Sequence, residues 1–224
     1  MNVPAFLFDA VLLWSALGAA VLALAGAAWR VDWKTLTPSR ANAWAGAMVL
    51  TMLMWTLSGG FKPGLSFHLL GAALMTLLMG PWLALLALAA VLAGATAMGA
   101  GSWLAIGLNW WTMAAVPVGV AGGGLWLAQR LLPANLFVYV FVNAFLAGGA
   151  SYFAASLSGV AVLGLAGAYE AEYLLADALP FYFLLSWSEA FTSGLLTAVL
   201  VVYRPHWVST FDDDRYLKDP PLEG

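Results

Sequence analysis

The chain contains no cysteine. That excludes disulfide staples, thiolate metal sites and cysteine nucleophiles. It has only two histidines, His68 and His206, and a catalytic metal site made of protein ligands alone would want more imidazoles or carboxylates beside them. Charge is equally scarce: Lys, Arg, Asp and Glu make up 8% of 224 residues, against about 25% in a typical soluble domain. No His-Glu-x-x-His helix and no phosphate-binding glycine loop occurs. The "SLSG" at 156–159 is no serine-hydrolase site, because its one conceivable partner, His206, falls on the other side of the membrane. The chain is therefore not expected to be an enzyme, and no nucleic-acid partner is expected. A basic leader is also missing from "MNVPAFLFDA", so the first apolar run is expected to stay as a span, with Met1 at or near the chain start.

What the chain does have is apolar length. Hydrophobic residues make up 63%, with 12 tryptophans and 23 glycines, and the mean hydropathy is +0.90. This composition predicts an integral membrane protein. The runs are continuous and rich in Ala and Leu, without the alternation of a β-barrel, so the expected class is an all-α polytopic bundle of about seven transmembrane helices. Their expected positions are 5–29, 41–57, 67–80, 82–98, 109–128, 135–157 and 178–203. The third is short for a span, and is read as a helix or a partly re-entrant element buried in protein. Residues 1–205 form one transmembrane domain, and 206–224 form an acidic, solvated cytoplasmic tail.

Seven spans place the termini on opposite sides. Arg30, Lys34, Arg40, Arg130, Arg204, Arg215 and Lys218 then share one side, and Lys62 alone takes the other. The positive-inside rule makes the crowded side cytoplasmic. The N-terminus, Lys62, His68 and the "EAE" loop are thus expected outside, in a multi-pass protein of the inner (plasma) membrane.

Polar groups inside spans are costly and point to function or to helix-helix bonding. Asp9 sits near the outer end of the first helix and Asn109 opens the fifth. Asn143 lies in the sixth, and Glu189 lies near the middle of the seventh, with Ser186, Ser188, Thr192 and Ser193 beside it. Glu189 is expected to be buried and mainly structural, bonded to Ser186, Thr192 or a neighbouring helix. His68, where the third apolar run begins, is a metal ligand, a proton carrier or an interfacial imidazole. Ala19, Ala23 and Ala27 recur every four residues, a spacing that admits a close-packed helix of this chain or of a partner.

Three stretches together resemble the cobalt/nickel permeases of the CbiM/NikM type, the substrate-binding membrane subunits of energy-coupling factor transporters. "FHLLGAALMTLLMGPW" resembles the family's histidine, Gly/Ala-rich run and Gly-Pro, placed at His68, Gly71–Ala73 and Gly80-Pro81. "GLNWWTMA" resembles a Gly-x-Asn-x-x-x-Met-Ala segment containing Asn109, Met113 and Ala114. "SEAFTSGLLTAV" resembles a closing helix containing Glu189 and Thr197. The resemblance covers roughly residues 40–205. It implies a nickel or cobalt ion held near the outer face by the N-terminal amine, the backbone nitrogen and imidazole of residue 2, and the histidine at position 68. Nitrogen-rich tetragonal sets of this kind suit Ni(II) and Co(II). It also implies separate ATPase and coupling membrane subunits as partners. The departure is Asn2, where the family has histidine. The expected metal residues are thus Met1, Asn2 and His68, with Asp9, Asn109 and Glu189 around them. The alternative is a non-transporting scaffold or assembly factor for another membrane complex, reusing the fold with a degenerate site.

Overall fold

The computed structural model describes residues 2–60 and 62–217. Met1, Phe61, Lys218 and the rest of the C-terminal segment lie outside the described residues. Helices dominate, and the one sheet among the described residues is a two-stranded antiparallel hairpin of β1 (Gly59–Gly60) and β2 (Ser66–Phe67).

Five helices are long and apolar enough to cross a bilayer: α1 (Ala10–Arg30), α4 (Pro81–Ala100), α5 (Trp103–Leu131), α6 (Leu136–Leu165) and α7 (Ala171–Tyr203). Between the first two stand α2 (Pro38–Thr56) and α3 (Ala72–Met79). Thr37 caps α2 by accepting from Arg40 N–H, and Pro38 takes the first turn, where its missing N–H is not needed. A short α8 (Asp213–Tyr216) follows α7.

The expected third span is a half-helix. Eight residues rise only about 12 Å, well short of the roughly 30 Å hydrocarbon layer. It begins at Ala72, after Gly71 in the left-handed region (φ 66°), and ends at Gly80 (φ 80°), where Pro81 opens α4. Ala72, Ala73 and Met75 through Met79 are all buried, so α3 lies inside the bundle and its backbone ends need protein partners. The first span is shorter than expected, beginning at Ala10 after a separate turn at Ala5–Leu7, while several later spans run past their expected bounds. α5 begins at Trp103, so Asn109 lies within it and does not open it. α6 runs on to Leu165, and α7 begins at Ala171, taking in Glu172 of the "EAE" loop. Wide π-type turns at Trp111–Ala115 and Leu174–Ala178 directly precede Pro117 and Pro180. Such local widening lets a spanning helix absorb a residue that cannot donate a backbone bond.

Contacts sort the loops into two ends. At one end Tyr169 donates to Pro63 O at 2.7 Å, Lys62 Nζ stands 3.8 Å from the Tyr173 ring, and Asn2 reaches Ala100. At the other, Arg40 Nε donates to His206 O at 2.8 Å, Arg215 donates to Gln129 O at 2.8 Å, and Arg30 lies over Trp82. The basic residues within the described range, Lys62 apart, belong to the second end or to the connections leading to it. The segment after α7 is not a solvated tail up to Tyr216. Val208, Phe211 and Tyr216 are buried, and Tyr139 packs edge-on against both rings. The sequence hid this because the acidic "DDD" that suggests solvent is flanked by aromatic residues that bury.

Candidate metal site and the loop that carries it

His68 lies in the non-helical segment between β2 and α3. Its Nδ1 stands 3.1 Å from Leu69 O. A carbonyl can only accept, so Nδ1 carries the proton and Nε2 keeps its lone pair. Nε2 is buried and has no hydrogen-bond partner among the described residues. A backbone carbonyl that fixes the tautomer and leaves the far nitrogen open is the arrangement seen at metal-binding histidines. The ring rests 5.4 Å from that of Trp55, which limits its rotation.

The segment around His68 is held from four directions. Asn2 N–H donates to Ser66 Oγ at 3.0 Å. Tyr182 of α7 donates to Ser66 O at 3.0 Å. Trp55 Nε1 of α2 donates to Leu70 O at 3.2 Å. Glu189 of α7 accepts from Leu70 N–H at 2.8 Å and from Gly71 N–H at 2.7 Å. Buried backbone groups must be paired, and the N-terminal N–H groups of a helix have no partner of their own. Glu189 meets that need at the start of α3, where a carboxylate also complements the helix dipole. Its expected partner was Ser186, Thr192 or a neighbouring helix, and the partner found is the start of the neighbouring α3 and not a side chain of its own helix. Instead Ser186 turns to Phe183 O, because a hydroxyl on a helix reaches its own preceding turn more easily than a neighbour.

The N-terminal strap enters at the same end. Asn109, buried in α5, clamps Val3 on both sides: Oδ1 accepts from Val3 N–H at 2.7 Å and Nδ2 donates to Val3 O at 3.1 Å. Asn109 Nδ2 also donates to Asn2 Oδ1 at 2.5 Å, and Asn2 Nδ2 donates to Ala100 O at 2.5 Å. Close approach is possible because residue 101 is glycine; a Cβ there would lie 2.6 Å from Asn2 Nδ2.

Asn2, Asn109, His68 and Glu189 therefore belong to one connected arrangement around residues 66–71. Met1 lies outside the described residues. Asp9 does not join. It is exposed at the N-cap of α1 without a side-chain capping bond, where its charge favours the helix N-terminus from water. Nor do the alanines form one stripe. Ala27 is buried and Ala23 half-buried, but Ala19 is exposed. The packed face runs through Leu13, Ala20 and Ala27, as the 3.6-residue turn requires and a strict four-residue step does not. Close approach occurs at Gly107, where a Cβ would lie 2.4 Å from Leu17 Cα, so α1 is docked within this chain. Sequence reasoning missed Ser66, Trp55 and Tyr182. The "SGGFKPG" break marked the loop, but nothing in the pattern marked its pins. Among the described residues no three His, Asp or Glu side chains cluster.

The family model for the cobalt uptake substrate-specific transmembrane region matches residues 2–207. Two solved structures share the fold. A transition metal transporter aligns with a TM-score of 0.76 at 24% identity, over 89% of this chain and 92% of that one. A truncated transition metal transporter aligns with a TM-score of 0.72 at 24% identity, over 91% and 97%. No curated protein matches the chain.

Proposed function

Because the chain belongs to the family of the cobalt uptake substrate-specific transmembrane region, a multi-pass membrane transport component and not an enzyme, we propose that it binds a divalent transition metal, of nickel or cobalt type, for uptake. It works with separate ATPase and coupling membrane subunits, because the chain has no nucleotide-binding motif of its own. The metal approaches from the end that holds Asn2, Lys62 and His68, which is the outer face by the positive-inside rule. The C-terminus is then cytoplasmic.

The observation that carries this proposal is the His68 ring. Its Nε2 is buried and has no partner among the described residues, while Nδ1 is anchored on Leu69 O. An open imidazole nitrogen beside the N-terminal strap suits Ni(II) or Co(II). Met1 would add its amine, and Asn2 its backbone nitrogen or amide oxygen. Asn109 and Glu189 hold the strap and the loop in place, and neither is a ligand. Titration of Ni(II) and Co(II) into protein with an untagged N-terminus tests this. Binding is expected in the wild type, lost in His68→Ala, and tighter in Asn2→His in a manner that still needs His68. Unchanged binding in both variants would refute it.

A second proposal has its own support. Asn2 Oδ1 and Nδ2 are both engaged in hydrogen bonds, and an amide oxygen is a weaker donor to these ions than imidazole. A scaffold or assembly factor with a degenerate site would use Asn2 in this way, purely to tie the strap to the bundle. Absence of metal binding in wild type, combined with its appearance in Asn2→His, would favour it.

A further inference from the structure

A groove of about 600 Å³ opens between α2 and α7 over the face of α3, and it reaches Leu69, Gly71 and Glu189 at the end beneath the His68 loop. Gly46 and Ala47 form one wall, Leu196 and Leu200 the other, and Leu74 and Leu78 the floor. Trp207 also lines it, and two arginines meet the short turn that bears this residue. Arg40 donates to His206 O at 2.8 Å, and the Arg204 guanidinium lies 5.9 Å from the Trp207 ring. Trp207 Nε1 donates to Ser39 at 3.2 Å, and Trp44 Nε1 donates to Trp207 O at 2.9 Å, which fixes the turn against α2. The cleft is thus mainly apolar, with Glu189, Thr192 and Ser193 also in its lining, and basic at the end that bears Trp207.

We infer that this groove holds one acyl chain of an anionic phospholipid, with the phosphate at Arg40 and Arg204. Charge and position support that occupant. Guanidinium groups present forked donors that match phosphate oxygens. Basic pockets between helices at the positively charged side of a bundle are the usual place for anionic headgroups, and Trp207 follows the end of α7, the kind of position where tryptophan is enriched at membrane interfaces.

The test compares dioleoyl phosphatidylglycerol with dioleoyl phosphatidylcholine, which carries the same chains on a zwitterionic headgroup. Each is titrated into detergent-purified protein and followed by native mass spectrometry. The wild type is expected to bind one phosphatidylglycerol at least about tenfold more tightly than phosphatidylcholine. The double variant Arg40→Gln/Arg204→Gln is expected to lose that preference and keep the weaker binding. Gly46→Leu is expected to lose both lipids. A Cβ at Gly46 meets nothing within 4 Å, so the added side chain starts from open space on the groove wall. Leu196→Trp, from the opposite wall, should give the same loss. Equal affinity for the two lipids in wild type, a preference that survives the double variant, or binding untouched by both groove-filling variants would overturn the proposal. So would release of a co-purifying membrane subunit by Gly46→Leu with lipid binding intact, which would assign the groove to a partner helix.

Discussion

Glu189 and Gly71, 118 residues apart, are joined by a hydrogen bond of 2.7 Å from the glycine N–H to the carboxylate. With the companion bond to Leu70 N–H, it makes one side chain of α7 the N-terminal cap of the half-helix α3. The His68 segment ends on this cap. The carboxylate therefore acts on the site by fixing where the loop stops and the helix begins.

Glu189→Leu should be the most damaging change at this position. It leaves two buried N–H groups unpaired, at about 1–3 kcal/mol each. Glu189→Gln keeps one acceptor and turns an NH₂ toward the second donor, so about half of the loss is expected. Thermal unfolding in detergent should rank wild type above Gln and Gln above Leu. Equal transition temperatures for all three would show that the cap carries no stability.

Gly107 and Gly18 make a paired test of how α1 is docked. A Cβ at Gly107 would lie 2.4 Å from Leu17 Cα, whereas one at Gly18 meets nothing within 4 Å. Gly107→Ala should push α1 away from α5 and cost about 1–3 kcal/mol, the usual range for overpacking. Gly18→Ala should be neutral or mildly stabilising, because it removes a helix glycine. Yield and melting temperature of the two variants decide; similar behaviour would contradict the contact.

Reporter fusions should place residue 35 and the C-terminus in the cytoplasm, and residues 62 and 172 outside. The two-ended sorting of the loops groups these sites, and the positive-inside rule predicts which group is cytoplasmic. A fusion that placed residues 62 and 206 on the same side would break the arrangement.

Affinity for Ni(II) should rise with pH. Protons compete with the metal for nitrogen donors, so binding releases them. In wild type and in Asn2→His the apparent affinity should fall as the solution is acidified, with proton release measurable by calorimetry in buffers of different ionisation enthalpy. Affinity independent of pH would exclude nitrogen ligation.

The membrane class and most of the spans were legible because continuous apolar runs leave little choice of environment. His68, Asn109 and Glu189 stood out because polar side chains are rare in such runs. Their partners did not. Glu189 was expected to bond to Ser186, Thr192 or a neighbouring helix; it bonds to backbone N–H groups at the start of a neighbouring helix, which every residue carries and no sequence pattern marks. Asn109 reads as a generic interhelical amide, and its grip on Val3 depends on the N-terminal strap folding back into the bundle. Asp9 and Ala19 misled for a simpler reason. Their residue types suited the role, but the helical phase of α1 points them at water or lipid.

The half-helix α3 is gripped at both ends by the same stretch of chain. Glu189 holds its N-terminus, and after α7 ends, Ser209 N–H and Thr210 N–H donate to Leu78 O and Leu77 O, with Thr210 Oγ1 adding a third bond to Leu77 O. α3 is therefore a rung carried inside a bracket made of α7 and its continuation. Any rearrangement that displaces α7 must carry the rung, and with it the floor beneath His68, in the same stroke. A force applied at the turn around Trp207 would reach the His68 loop at the opposite end of the bundle through one rigid part.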